Sequence, residues 1–316
     1  MAVERTFRAM GSLAHVVVVG GSPGLAERAQ RRVDELERRW SRFLPDSEVS
    51  ALNRSAGHPL PVSADTVLLV VRAIEGWRLS GGAFDPTVLG PVIRAGYDRS
   101  FEQVGEVQGP GLSALDLGAE GIEVDGDTVR IQSGTGFDPG GIGKGLAADV
   151  VCAELLADGA DGACVNLGGD VRVCGSGPDD AAWTVAVEHE WAPAPVALLG
   201  LADGAVATST TLRRRWRGRD GHPRHHLIDP QTGLPATTDV NSATVVAATA
   251  WAAEVLAKAV LLRGSANAFD IIGGTGAQGL VVDDGGRIQA TGGLAAYLGG
   301  VELPGRLRLG AGLAPA

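Results

Sequence analysis

Three short stretches of this sequence carry side chains that could do chemistry. In "FDPGGIGKGLAADVV" (137–151), Gly140, Gly141, Gly143 and Gly145 surround Lys144 just ahead of an amphipathic run. Glycines let main-chain N–H groups approach an anion, a helix start adds positive potential and the lysine adds a full charge. The spacing is not that of a P-loop, since GxxxxGK[ST] is absent and no hydroxyl follows the lysine; a plain tight turn uses the same glycines. In "RHHLIDPQTGLPA" (224–236), His225, His226, Asp229 and Thr232 surround a turn bounded by two prolines. An imidazole there could move a proton near neutral pH, and an ordinary Asp-Pro turn with solvated histidines is the plain alternative. In "WAAEVLAKAVLLRG" (251–264), Glu254 and Lys258 sit one turn apart on an otherwise apolar or small helix. As a surface salt bridge the pair contributes only a few tenths of a kcal/mol.

Upstream of the histidines, Arg213, Arg214, Arg215, Arg217, Arg219 and Arg224 crowd one polar loop. Such a run is usually a solvated face, and it could also guide phosphates toward an adjacent site.

The elements that must position these residues follow from periodicity. "LAHVVVVGG" (13–21) reads as a buried strand, and Leu25, Ala29, Leu36, Trp40 and Phe43 recur at helical spacing after it. A second helix starts at Ser63 as its N-cap and stops at Gly81-Gly82. "GIEVDGDTVRI" alternates on both sides of Asp125-Gly126, the signature of a hairpin. Further strands are expected at 163–173, 183–188, 204–208 and 241–248, with helices at 142–157, 249–263 and 265–272. Strands therefore run in groups instead of alternating with helices, which predicts an α+β fold with mixed or antiparallel sheets and flanking helices. No linker is visible, so residues 1–302 are expected to form one domain of two interleaved lobes, followed by a loose tail at 303–316.

Composition limits the function classes. A chain of 316 residues with 45% hydrophobic content and mean hydropathy +0.12 has material for a packed core. A net charge of −10 argues against a broad nucleic-acid or anionic-membrane surface. No secretory signal and no membrane-spanning run appears, so a cytoplasmic protein is expected. Cys152, Cys164 and Cys174 are odd in number and lack CxxC spacing, which fits reduced thiols better than a disulfide framework or a zinc site.

The succession "AMGS" (9–12), "WSRFLPDSEVSALN" (40–53), "GGAFDPTV" (81–88), "DPGGIGKG" (138–145), "VNLGGD" (165–170), "VATST" (206–210), "HLIDPQTGLP" (226–235) and "AAEVLAKA" (252–259) resembles the FAD:protein FMN transferase (ApbE) family. The resemblance runs from about residue 6 to about 300. It implies a protein that binds FAD as substrate, cuts its pyrophosphate and attaches FMN through a phosphoester to a Thr or Ser of a partner flavoprotein. A FAD pyrophosphatase giving FMN and AMP, or a non-catalytic FAD binder, remain alternatives.

By the same resemblance, His226 would be the general base, and Met10, Phe43, Ala83, Phe84 and Asp85 would line the flavin or adenosine portion. Asp138, Gly141, Lys144 and the Leu227-Ile228 main chain would surround the pyrophosphate. Phe43 stands where relatives often have Tyr or Asn, and Thr210 follows Ser209 where the family commonly has glycine. The opening helix departs further. Relatives hold a Mg²⁺ there with an Asp and a Thr four residues apart and a backbone carbonyl at the position of Gly141. This chain has Glu254 and Lys258 instead. Glu254 could still ligate a metal, whereas a protonated lysine cannot, so Lys258 is expected to supply part of the ion's charge, with Mg²⁺ itself left open.

Overall fold

The computed structural model describes residues 1–55, 57–98, 118–217 and 223–307. In chain order its elements are β1 (Ala2–Ala9), β2 (Ser12–Val19), α1 (Leu25–Trp40), α2 (Glu48–Arg54), β3 (Leu60–Pro61), α3 (Ala64–Leu79), α4 (Leu89–Ala95), β4 (Glu123–Asp125) and β5 (Thr128–Arg130). Then come α5 (Gly143–Ala157), β6 (Gly162–Leu167), β7 (Asp170–Gly175), β8 (Trp183–Val187), β9 (Ala197–Leu201) and β10 (Gly204–Thr210). The chain continues with β11 (Arg215–Arg217), β12 (Pro223–His225), β13 (Ile228–Asp229), β14 (Leu234–Pro235), β15 (Val240–Ala247), α6 (Ala250–Leu262), β16 (Gln278–Asp283) and β17 (Ile288–Ala290).

Two compact units are drawn from interleaved segments. The first comprises residues 1–33, 144–212 and 238–316, and the second residues 34–143 and 213–237. The first is built on an eight-stranded sheet in the order β1-β2-β6-β7-β10-β15-β16-β17, antiparallel at every step. Its inner strands send valines into the core. Val17, Val19, Val171, Val173, Val206, Val246 and Val282 form one buried cluster with Trp183, Val185, Leu199 and Leu201 of the β8–β9 hairpin. Helix α6 packs on β10 and β15. Its start is fixed by Asp149 of α5, whose carboxylate accepts the Ala250 and Trp251 N–H groups at 2.8 and 2.9 Å. Two orphan donors of a helix N-terminus are thereby satisfied from a neighbouring helix.

The second unit holds α2, α3, α4, a small sheet β3-β5-β4 and the hairpins β11–β12 and β13–β14. Ser63 caps α3 by accepting the Thr66 N–H, as its sequence position predicts. The hairpin around Asp125-Gly126 is β4–β5.

Several expectations are corrected. Residues 163–173 are not one strand but β6 and β7, separated by Gly168 and Gly169 at φ +67° and +101°, a turn that side chains would strain. No α-helix fills 265–272. Gly264 at φ +74° ends α6, Ser265 is tied to Asp239, and only one 3₁₀ turn forms at Asp270–Ile272. Strand β1 was not foreseen, because its outward residues are polar and it lies at a sheet edge. The start of the expected tail is attached: Leu303 and Leu307 pack on the first unit's core, and the Leu307 N–H donates to the Gly286 carbonyl. Residues 308–316 and Arg219 lie outside the described residues.

Helices α5 and α6 come close at Gly145, where a Cβ would stand 2.3 Å from the Ala250 carbonyl oxygen. Gly145→Ala is therefore expected to lower stability by about 1–3 kcal/mol through overpacking against backbone. The urea midpoint should fall with the m-value unchanged; an unmoved midpoint would mean that the start of α6 gives way freely.

Candidate active site

In the first unit, the charges of three elements meet at the head of α5. Lys144, the second residue of that helix, hydrogen-bonds the Asp170 carboxylate at the start of β7 and reaches Glu254 Oε1 of α6 at 3.2 Å. The other oxygen of Glu254 accepts the Gly145 N–H at 2.8 Å. Asp170 and Glu254 are 3% and 5% exposed, so both acids sit in low dielectric and need these partners. Burial, then the neighbouring Glu254 charge, push the Asp170 carboxyl up to about 7, against the opposing pull of Lys144 and Lys258.

The Glu254 side chain is thus not on a surface. Its α6 neighbours Ala253, Val255, Leu256 and Ala257 are buried as well, and Lys258 is half-buried. The carboxylate serves the α5 backbone and Lys144. Lys258 acts electrostatically on Asp170. Met10 lies in the β1–β2 turn at φ +51° followed by Gly11 at +65°, a two-residue reversal with both residues left-handed.

Would this group hold Mg²⁺? The ion asks for oxygen ligands at short, near-octahedral distances. Here both Glu254 oxygens already accept hydrogen bonds, a lysine ammonium stands among them, and Lys258 one turn further along α6 adds a second cation and no oxygen. Among the described residues no three His, Cys, Asp or Glu side chains form a metal-binding group. The donor set of this cluster does not fit the ion.

In the second unit, Asp138 organises the Gly-rich turn. Its Oδ1 accepts the Gly140 N–H at 2.8 Å, and its own N–H donates to the Pro86 carbonyl at 2.7 Å. Arg42 Nε lies 3.5 Å from the same Oδ1, nearly sealed from solvent, with its guanidinium 4.1 Å from the Phe43 ring centroid and 4.7 Å from that of Tyr97. Gly141 is buried within the turn. Asp85 is buried and accepts both the N–H and the hydroxyl of Thr87; burial raises its pKa, and those two bonds oppose the rise. Phe84 is 2% exposed and belongs to the unit's interior, while Ala83 is half-buried. Phe43 leads an aromatic row, 5.6 Å from Tyr97, which is 5.9 Å from Trp216.

His226 lies between β12 and β13, half-buried, with the buried Leu227 and Ile228 after it. Its neighbour His225 is locked. Nδ1 accepts the Leu227 N–H at 3.3 Å and Nε2 donates to the Ala236 carbonyl at 3.1 Å, so the neutral tautomer fits, and burial first among several causes lowers its pKa. The Asp229 turn closes through Gly233, at φ +65°, whose N–H donates to the Asp229 carbonyl at 2.8 Å.

Of the residues singled out in sequence, Lys144, Glu254 and Lys258 fall in the first unit with Met10. Phe43, Ala83, Phe84, Asp85, Asp138, Gly141, His226, Leu227 and Ile228 fall in the second. Sequence reasoning missed three charged residues. Asp170 was visible as an acid directly after a Gly-Gly turn. Arg42 gave no signal, since its neighbours Ser41 and Phe43 do not mark an arginine as buried. Asp149 sat unremarked inside α5 as the cap of another helix.

An α+β protein with a lysine-bearing, glycine-rich turn at a helix start is the class that fold and site define. The chain belongs to the ApbE family, whose profile matches residues 10–292. The FAD:protein FMN transferase of Treponema pallidum is 33% identical over 239 residues, covering 69% of this chain and 66% of that relative, just under two thirds of its length. The Vibrio cholerae protein of the same name is 28% identical over 253 residues, covering 78% of this chain and 75% of its own. The crystal structure of the ApbE protein of Thermotoga maritima superposes with a TM-score of 0.84 at 26% identity, covering 94% of this chain and 99% of that one.

The raised Asp170 carboxyl has a stability signature. A folded-state pKa above the unfolded value means that the native chain holds the proton longer, so this group's contribution is largest below about pH 4 and is lost as pH rises to about 7. The difference in urea stability between the parent and Asp170→Asn is expected to shift against the parent across that window. A difference that stays constant with pH would show that Asp170 is ionised throughout it.

Proposed function

We propose that this chain is an FAD:protein FMN transferase, cleaving the pyrophosphate of FAD and joining the FMN phosphate to a Thr or Ser hydroxyl of a partner flavoprotein. The observation that carries this reading is the family match over residues 10–292, with relatives that bear that name. Atoms balance simply. The acceptor oxygen attacks the FMN-side phosphorus, the bridging P–O bond breaks, and AMP leaves with the bridging oxygen. Such a transfer needs in-line positioning and neutralisation of charge more than covalent help.

His226 takes the acceptor hydroxyl's proton. It is suited to this because an imidazole titrates near neutral pH, while His225 beside it is committed to holding the Leu227 and Ala236 backbone. Lys144 and the N–H groups of the Gly-rich turn neutralise the pyrophosphate, with Asp138 shaping that turn through Gly140. Phe43, Ala83, Asp85 and Met10 line the flavin or adenosine portion, and Phe84 supports them from the interior. Lys258 adds positive charge that a divalent ion would otherwise give. A second cation about 4 Å from a lysine would meet roughly 4 kcal/mol of repulsion per unit charge at an effective dielectric of about 20.

The test is direct. Purified protein, FAD and a flavoprotein acceptor domain should yield AMP together with flavin that stays on the denatured acceptor. Free FMN with an unlabelled acceptor would indicate a hydrolase, and FAD left whole a binding protein. His226→Ala should keep FAD bound yet slow transfer by about 10²- to 10⁴-fold; transfer at the parent rate across neutral pH would remove His226 from the role.

Metal dependence provides a second check. Activity is expected to persist in chelator, and the paired change Glu254→Asp with Lys258→Thr should introduce a requirement for Mg²⁺. Complete loss of the parent's activity in chelator, restored by Mg²⁺, would defeat the charge-replacement reading.

A further inference from the structure

The arginine-rich segment has a shape that the sequence alone did not disclose. It forms the hairpin β11–β12, in which Arg215 pairs with His225, Trp216 with Arg224 and Arg217 with Pro223. Alternate residues of a strand face opposite ways. On one face the Trp216 indole donates to the Ala95 carbonyl at 2.9 Å and stacks beside Tyr97, and Arg224 reaches the same carbonyl at 3.5 Å. This pins the hairpin to the second unit. Arg215 and Arg217 lie on the other face and are exposed, as is Arg213 just ahead of the strand. Two cations therefore stand on the solvent side of an anchored ribbon, with the exposed Arg213 just ahead of it, in a chain of net charge −10.

Strand β12 ends at His225, one residue before His226. Arg215 faces His225 directly across the ribbon, at the roughly 5 Å spacing of antiparallel partners. A polypeptide that brings a hydroxyl to His226 would come close to Arg215, the cross-strand partner of its chain neighbour His225. At about 3.3 Å per extended residue, side chains some two to four positions from that hydroxyl would meet these arginines.

We infer that the exposed face of the β11–β12 hairpin, Arg213, Arg215 and Arg217, is a docking surface for the acceptor polypeptide, selecting acidic residues that flank its Thr or Ser. The inference rests on His226 being where the acceptor hydroxyl is received. The occupant is a polypeptide and not the flavin nucleotide, because the arginines face away from the Phe43–Tyr97–Trp216 aromatic row. Complementary charge of this kind sets partner choice and encounter rate and weakens with salt.

The test uses two fluorescein-labelled peptides with a central Thr, one flanked by Asp and Glu two to four residues away and one by Lys at the same positions. Anisotropy with the whole FAD-saturated protein should give the acidic peptide at least about tenfold tighter binding at low salt, the preference fading as salt rises. The combined variant Arg213→Ala, Arg215→Ala and Arg217→Ala should abolish that preference while leaving FAD affinity unchanged. The matching Lys variant should retain it, which separates lost charge from a disturbed hairpin. Equal binding of both peptides by the parent would overturn the inference, and so would a loss of FAD affinity as large as the loss of peptide affinity. If peptide preference holds while no hydroxyl is ever flavinylated, the transferase reading fails alone. If transfer proceeds without preference, the docking surface fails alone.

Discussion

The contact of Lys144 with two buried carboxylates is the constraint around which the first unit is arranged. A lysine at the second position of a helix adds to the positive end of the macrodipole, which is unfavourable unless anions lie close by. Asp170 and Glu254 provide them from β7 and α6. Deleting one member of such a buried group typically costs about 3–5 kcal/mol because the others are left uncompensated. The close approach of α5 and α6 at Gly145 follows, since only a bare backbone lets Glu254 reach the N–H of the first turn.

A second network keeps that arrangement in register. Arg172 of β7 lies 3.2 Å from Asp149, which holds the start of α6, and also pairs with Asp203 and with the Gly204 carbonyl at the start of β10. The strand that carries Asp170 and the helix that carries Glu254 are thus both tied to α5, whose first turn carries Lys144. The geometry of the cluster is a property of the sheet and the helix pair together and not of a loop. Sites placed on such elements are held more closely than sites on loops.

Much of this could be read from the sequence where the code is local. The Ser63 cap, the Asp125-Gly126 hairpin and the 3.6-residue spacing of Leu25, Ala29, Leu36 and Trp40 depend on near neighbours, and each appears where expected. The motif order identified the family because each motif kept its residues in register. What stayed hidden depends on partners distant in sequence. Glu254 resembled half of an i, i+4 surface pair, yet its carboxylate is held by Lys144 and Gly145, more than a hundred residues away. Arg42 is enclosed by Asp138 and two aromatic rings, of which only Phe43 is near it in sequence. The helix expected at 265–272 failed because Gly264 and the Asp239 contact to Ser265 closed the chain into turns.

The strand order of the large sheet has a consequence for how the chain comes to be folded. β1 and β2 form a hairpin from adjacent residues, but the other side of β2 pairs with β6, Ala14 opposite Leu167, and the whole second-unit segment 34–143 is synthesised between them. While a ribosome adds those residues, Val16, Val17, Val18 and Val19 present an unpaired, apolar edge. Non-local pairings of this kind slow folding and expose strands to wrong partners. The charged outward residues of β1, Glu4 and Arg8, then serve the nascent chain as much as the finished one, by keeping the free side of that first hairpin from recruiting another molecule.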